Sequence, residues 1–152
     1  LYGHCFDGLW HDRIQPGLLN ALNTNRWLQG TGKVPTLYLG NHDHAHLAWQ
    51  AGARENAGAA RWYRTQPWAV ALLTAPGAVL IQNGQEFAED QWLPEDDQGS
   101  GRRVQSRPLH WDYRFDGYGR PLLDPYRRLI RLRRDYPAGS YTPLTLPTLL
   151  LV

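Results

Sequence analysis

Val34-Pro35-Thr36-Leu37-Tyr38-Leu39-Gly40-Asn41-His42-Asp43 decides how this chain is read. Residues 34–39 form a short apolar run that closes at Gly40 with a turn signal, which suits a buried strand. A crowd of polar side chains follows at once: Asn41, His42, Asp43, His44 and His46. Polar groups placed directly after a buried strand are what a site on a parallel β/α scaffold looks like, because there the strand ends carry the chemistry. Asp43 can hold negative charge beside a reacting centre. His42 and Asn41 can donate hydrogen bonds to hydroxyls or orient that carboxylate. Asn and Asp also close turns by bonding their own backbone, so a plain turn is the competing reading of the same residues.

Downstream, the breaker Ala75-Pro76-Gly77 leads into Ala78-Val79-Leu80-Ile81-Gln82, a second candidate for a buried strand, which stops at Asn83-Gly84. Between the two runs, residues 59–74 read as helical, with Trp62, Trp68, Val70, Leu72 and Leu73 as apolar members. Pro67 either kinks that helix or opens a fresh first turn. Upstream, residues 1–6 suggest a third strand and residues 17–28 a helix. Residues 86–107 form a long polar stretch, acidic first (Glu86, Glu89, Asp90, Glu95, Asp96, Asp97) and then Gly-Ser-Gly and arginines. A loop of that length in a compact domain is usually functional or disordered. The last helix is expected to begin at Asp124-Pro125, an N-cap followed by proline at the first helical position, and to end at Pro137. The order is strand, helix, strand, helix, strand, loop, helix, which predicts an α/β fold of parallel units.

Composition bounds the function classes. At 152 residues the chain suits one domain. Sixteen Lys+Arg against fourteen Asp+Glu leave a formal charge of +2, with no dense basic patch to suggest nucleic acid. Arg127, Arg128, Arg131, Arg133 and Arg134 on the last helix read as a solvated basic face with favourable charges near its C-terminus. The lone Cys5 excludes a disulfide framework and a cysteine-based zinc cluster. No run approaches the ~18 apolar residues of a membrane helix. The chain has no methionine and starts at Leu1, which reads as a cut end. Its location is left open on that account, with the cytoplasm preferred.

Two families write something like the central motif. Gly40-Asn41-His42-Asp43 resembles the metal-bridging segment of calcineurin-like metallophosphoesterases, but a two-metal site needs further ligands. Upstream there are only Gly3-His4 and His11-Asp12, and His110 is the sole histidine beyond His46. The second resemblance covers residues 1 to about 137. Tyr38-Leu39-Gly40-Asn41-His42-Asp43 is similar to the segment after the seventh barrel strand of α-amylase-type enzymes, glycoside hydrolase family 13. Residues 75–86, ending in Gly84-Gln85-Glu86, resemble that family's Pro-Gly…Gly-x-Glu stretch around the eighth strand. Pro108-Leu109-His110-Trp111-Asp112 resembles its Pro-Met-x-Trp element, and residues 122–136 its closing helix. Phe6-Asp7-Gly8-Leu9-Trp10 sits where strand six should end. Ala78 and Gln82-Asn83 depart from the pattern, and the tail from Gly139 matches nothing in it.

The resemblance implies a partial (β/α)8 TIM barrel, roughly its last three β/α units (strands 6 to 8), over residues 1–138. Residues 139–152 would then be an unassigned tail, read either as the start of a truncated β-sandwich or as sequence foreign to that fold. It implies a parent that hydrolyses or transfers α-glucosidic bonds of starch- or glycogen-type glucans, retaining configuration through a carboxylate nucleophile and a carboxylic acid. Asp43 matches the third, transition-state-stabilising aspartate of that site, with His42 and Asn41 as substrate contacts. The nucleophile and acid segments are absent, and Gly52-Ala53-Arg54-Glu55 is only a superficial echo of the first. The isolated chain is therefore expected to be inactive. The alternatives are a metallophosphoesterase piece, which would bind two transition-metal ions tightly, and a non-catalytic amylase-like binding or transport relative.

No cofactor is implied, and no metal site is assigned. The acidic run offers a calcium possibility, though such runs are more often solvated. The partner expected is an oligo- or polysaccharide, with neither nucleic acid nor membrane. Trp62 and Trp68 are expected to pack between helix and sheet, while Trp92 divides evenly between packing and sugar stacking. His44 and His46 lie beside the site and read equally as substrate contacts or as pH-sensitive loop residues. Leu37, Leu39, Val79 and Ile81 are expected to line a half-exposed core that lets the fragment self-associate.

Overall fold

The structure, a computed structural model, describes residues 1–14, 16–22, 31, 33, 35–54, 61–91 and 106–136. Its centre is a parallel pair of short strands, β1 (Thr36–Tyr38) and β2 (Ala78–Leu80), in the register Thr36 with Ala78, Leu37 with Val79 and Tyr38 with Leu80. A parallel pair needs a crossover. It is supplied by α3 (Leu47–Gln50), a 3-10 turn at Trp62–Thr65 and α4 (Gln66–Thr74). Pro67 stands in the first turn of α4, where its missing N–H would have had no intrahelical partner. The fresh-turn reading of Pro67 is the one the structure adopts.

The expected strand over residues 1–6 is a helix instead, α1 (Tyr2–Trp10), so residues 6–10 are not a strand end. The apolar positions explain the correction. Tyr2, Cys5, Phe6, Leu9 and Trp10 recur at helical spacing, and no β-branched residue occurs among residues 1–11. Cys5 and Leu9 are buried on one side of α1, while Phe6 and Trp10 are exposed on the other. The described residues thus hold two strands, not three, and the partial barrel of three units is not displayed. The helix expected over 17–28 appears as α2 (Leu18–Leu22), and residues 23–28 lie outside the described set.

The last helix, α5 (Gly119–Asp135), starts five residues before Asp124 and carries Pro125 inside it. The starting cap is Asp116, whose Oδ1 accepts the N–H groups of Tyr118 at 2.8 Å and Gly119 at 2.7 Å. Pro125 costs the helix one internal hydrogen bond. Complete burial of Leu122 and Tyr126 on either side of it holds the turn together. Nor is Arg133 part of a solvated face. It donates to the carbonyls of Leu73 at 3.0 Å, Ala75 at 2.7 Å and Gly77, clamping the turn that feeds β2.

The core gathers Cys5 and Leu9, Leu37 and Leu39, Leu47, Trp68, Leu72, Leu73, Leu122 and Tyr126. Trp68 is buried there, as a packing role requires. Leu37 and Leu39 are fully buried, while Val79 and Ile81 are only partly so and Leu80 is 41% exposed. One strand therefore lies inside the structure and the other along its margin. Trp92, most of the long polar stretch and the 139–152 tail lie outside the described residues.

Candidate functional site

Because β1 and β2 are parallel and paired without offset, the segments leaving their C-terminal ends emerge side by side. Gly40 marks the contact: a Cβ there would sit 2.8 Å from Oε1 of Gln82, so a larger residue would displace the Gln82 side chain from between the two exits. Asn41, His42 and Asp43 follow on the β1 side. Asn41 Oδ1 accepts the N–H of Asp43 at 2.9 Å, and its carbonyl accepts the N–H of His44 at 3.1 Å. This is the Asx turn that the residue types allow. The turn and site readings are thus compatible: Asn41 spends its side-chain oxygen on shaping the loop, and the loop presents the other two residues.

Asp43 keeps 38% of its side chain exposed, and Nε2 of His42, itself 79% exposed, stands 3.5 Å from its Oδ1. His44 stacks on Tyr2 with ring centroids 3.9 Å apart and planes at 8°, which ties the loop to α1. His46 turns inward as the residue preceding α3 and is buried, with no hydrogen-bond partner for Nδ1 among the described residues. Burial pushes its pKa below the ordinary imidazole value. The nearby Glu89 carboxylate pulls the other way, and Arg107 pushes further down.

The β2 side carries groups that local sequence patterns did not bring out. Gly84, at φ +87°, turns the chain so closely over Glu89 that a Cβ would meet the Glu89 Cβ at 2.5 Å. Glu89 is fully buried, not solvated as the acidic run suggested. Its carboxylate accepts the N–H groups of Asp90 (3.1 Å), Gln91 (3.0 Å) and His110 (2.7 Å), and lies 2.9 Å from Nδ1 of His110. Burial alone would raise the Glu89 pKa, but these bonds outweigh it and the net shift is downward. The same pairing raises the pKa of His110 against a smaller opposing effect of burial.

Two arginines bond backbone carbonyls of the segments after the strands. Arg54 donates to the carbonyls of Ala88 (2.7 Å) and Phe87 (3.0 Å), pairs with the Asp116 carboxylate, and lies 3.5 Å over the Tyr113 ring. Its neighbourhood is an anchor for the segment after β2. Arg107 donates to the carbonyls of His42 (2.6 Å) and His44 (3.2 Å), joining the long polar stretch to the loop after β1. Neither arginine announces itself in the sequence, since their partners lie more than 30 residues away. Among the described residues, no three His, Cys, Asp or Glu side chains converge as a metal site would require.

The chain shares its fold with part of a known amylase. It superposes on a crystal structure of AmyP in complex with maltose with a TM-score of 0.62, at 19% identity over 82% of this chain. A variant of AmyP in complex with maltotriose gives a TM-score of 0.61 at 22% identity over the same share. This chain spans 28% of the length of each of those structures. No family model and no curated protein matches it.

Proposed function

We propose that this chain is the C-terminal part of the catalytic (β/α)8 barrel of an α-amylase-family glycoside hydrolase or transglycosylase acting on starch- or glycogen-type glucans. Residues 1–138 would belong to the barrel, and residues 139–152 would lie beyond it. The observation that carries the reading is the placement of Asn41-His42-Asp43 at the C-terminal end of a parallel strand, inside a fold shared with a maltose-bound amylase. In this reading Asp43 stabilises the positive charge that develops on the sugar ring during retaining hydrolysis. His42, exposed beside it, donates to sugar hydroxyls, and Asn41 shapes the loop that presents both. The nucleophile and general acid would come from chain outside these residues. The ligand class is an α-linked oligosaccharide.

The test is a titration of the 152-residue chain with maltotriose, followed by amide NMR. Shifts are expected at Asn41, His42 and Asp43 and should vanish in Asp43→Asn, while the wild-type chain releases no reducing sugar from soluble starch above a buffer blank. A response confined to other surfaces, or an undiminished one in Asp43→Asn, would overturn the assignment of Asp43.

A further inference from the structure

We infer that Arg107 is a positioning residue for Asp43, acting through the main chain on either side of it. This rests on the reading of Asp43 as the sugar-facing carboxylate. The guanidinium bonds the carbonyl of His42 at 2.6 Å and that of His44 at 3.2 Å, so the residues immediately before and after Asp43 are both held by one planar group. A guanidinium presents its donors in a rigid fork, so two bonds to separate carbonyls fix the spacing between them as well as their direction. The third restraint is local, from Asn41 Oδ1 to the Asp43 N–H. Together they leave the Asp43 backbone little freedom, although its side chain stands partly in solvent.

The arginine is itself fastened. Pro108 follows it and biases Arg107 towards an extended backbone. Three residues on, His110 is tied by both its N–H and its ring to the buried carboxylate of Glu89. A mechanical line therefore runs from the segment after β2, through Glu89, His110 and Arg107, to the loop after β1. Further back, Arg54 also links the two segments through the carbonyls of Phe87 and Ala88. Arg107 couples them at the point where the candidate carboxylate sits.

The experiment measures amide hydrogen exchange and maltotriose response on the full chain in Arg107→Ala and Arg107→Lys, with Arg133→Lys as a control that disturbs a different clamp. Arg107→Ala is expected to speed exchange at Asp43 and His44 by roughly tenfold or more, since each lost bond exposes its neighbours to opening. Amides of α4 and α5 should stay near wild-type rates. The maltotriose response at residues 41–43 should weaken in parallel, Arg107→Lys should fall between, and Arg133→Lys should leave the loop unchanged. If Arg107→Ala unfolds the chain, Arg107→Lys decides, and wild-type exchange at Asp43 and His44 in that variant overturns the inference. Unchanged exchange in Arg107→Ala with a normal maltotriose response also overturns it, leaving the sugar reading intact. Faster exchange in a protein whose wild-type form ignores maltotriose overturns the sugar reading instead, and Arg107 remains the support of this loop.

Discussion

Glu89 and His110 show how much a single pair near the site depends on pH. The Glu89 pKa is depressed, so its contribution to stability is present above the ordinary carboxylate pKa of ~4.3 and is lost as pH falls through the lower folded value. The His110 pKa is raised, so its contribution is complete below the ordinary imidazole pKa of ~6.5 and is lost as pH rises through the higher folded value. The two windows overlap at about pH 5–6. His46 runs the other way, because a buried neutral imidazole favours unfolding once the unfolded chain can protonate it. Comparing wild type with His110→Gln cancels His46. The stability difference from urea unfolding should be largest at about pH 5–6 and shrink towards pH 9. A pH-independent difference would mean that the pair is not ionic. Asp43, His42 and Asn41 were legible because they follow a buried run in consecutive order. Glu89 was not, since an acidic run reads as solvated until Gly84 and the backbone of residues 90, 91 and 110 are seen to enclose one of its members.

At the level of elements, α5 carries the tie between the helical layer and the segment after β2. Tyr126 is buried among the core residues, and its hydroxyl accepts the side-chain amide of Gln85 at 2.7 Å. Tyr126→Phe keeps the ring and strands that buried donor, so it should cost about 1–2 kcal/mol with the urea m-value unchanged. A neutral result in denaturant would mean that Gln85 finds another partner. The parallel pairing of β1 with β2 was readable, because apolar runs bounded by glycine and proline are local signals, whereas Pro67 allowed either a kink or a fresh turn and the structure takes the fresh turn. The start of α5 was not, because Asp124-Pro125 imitates a cap while the true cap, Asp116, stands behind a glycine and a tyrosine. The helical character of α1 is hidden if only residues 1–6 are read, because in so short a run both periods fit; over residues 2–10 the helical spacing emerges, and the burial of Cys5 and Leu9 on one side agrees with it.

For the whole molecule, the decisive feature is a two-stranded parallel sheet whose second strand is exposed among the described residues. Among the described residues β1 pairs only with β2, whose Ala78 and Leu80 are exposed. Parallel strands normally lie covered on both faces, and an uncovered edge offers unpaired backbone groups to another chain. Large apolar side chains are exposed elsewhere as well, among them Phe6, Trp10 and Phe115. This arrangement was only half legible: the sequence places two apolar strands in a parallel order, but which strand lies inside depends on helices contributed from distant positions. The isolated chain is accordingly expected to self-associate between micromolar and millimolar concentration, visible as a rising weight-average mass in sedimentation velocity. Leu80→Lys puts a charge on the exposed edge strand, where lysine blocks edge-to-edge pairing. It should move the chain towards monomer with its helical circular dichroism unchanged. A wild-type chain that stays monomeric over that range would show that this edge does not recruit a second copy, and association undiminished in Leu80→Lys would move the contact to the aromatic face of α1.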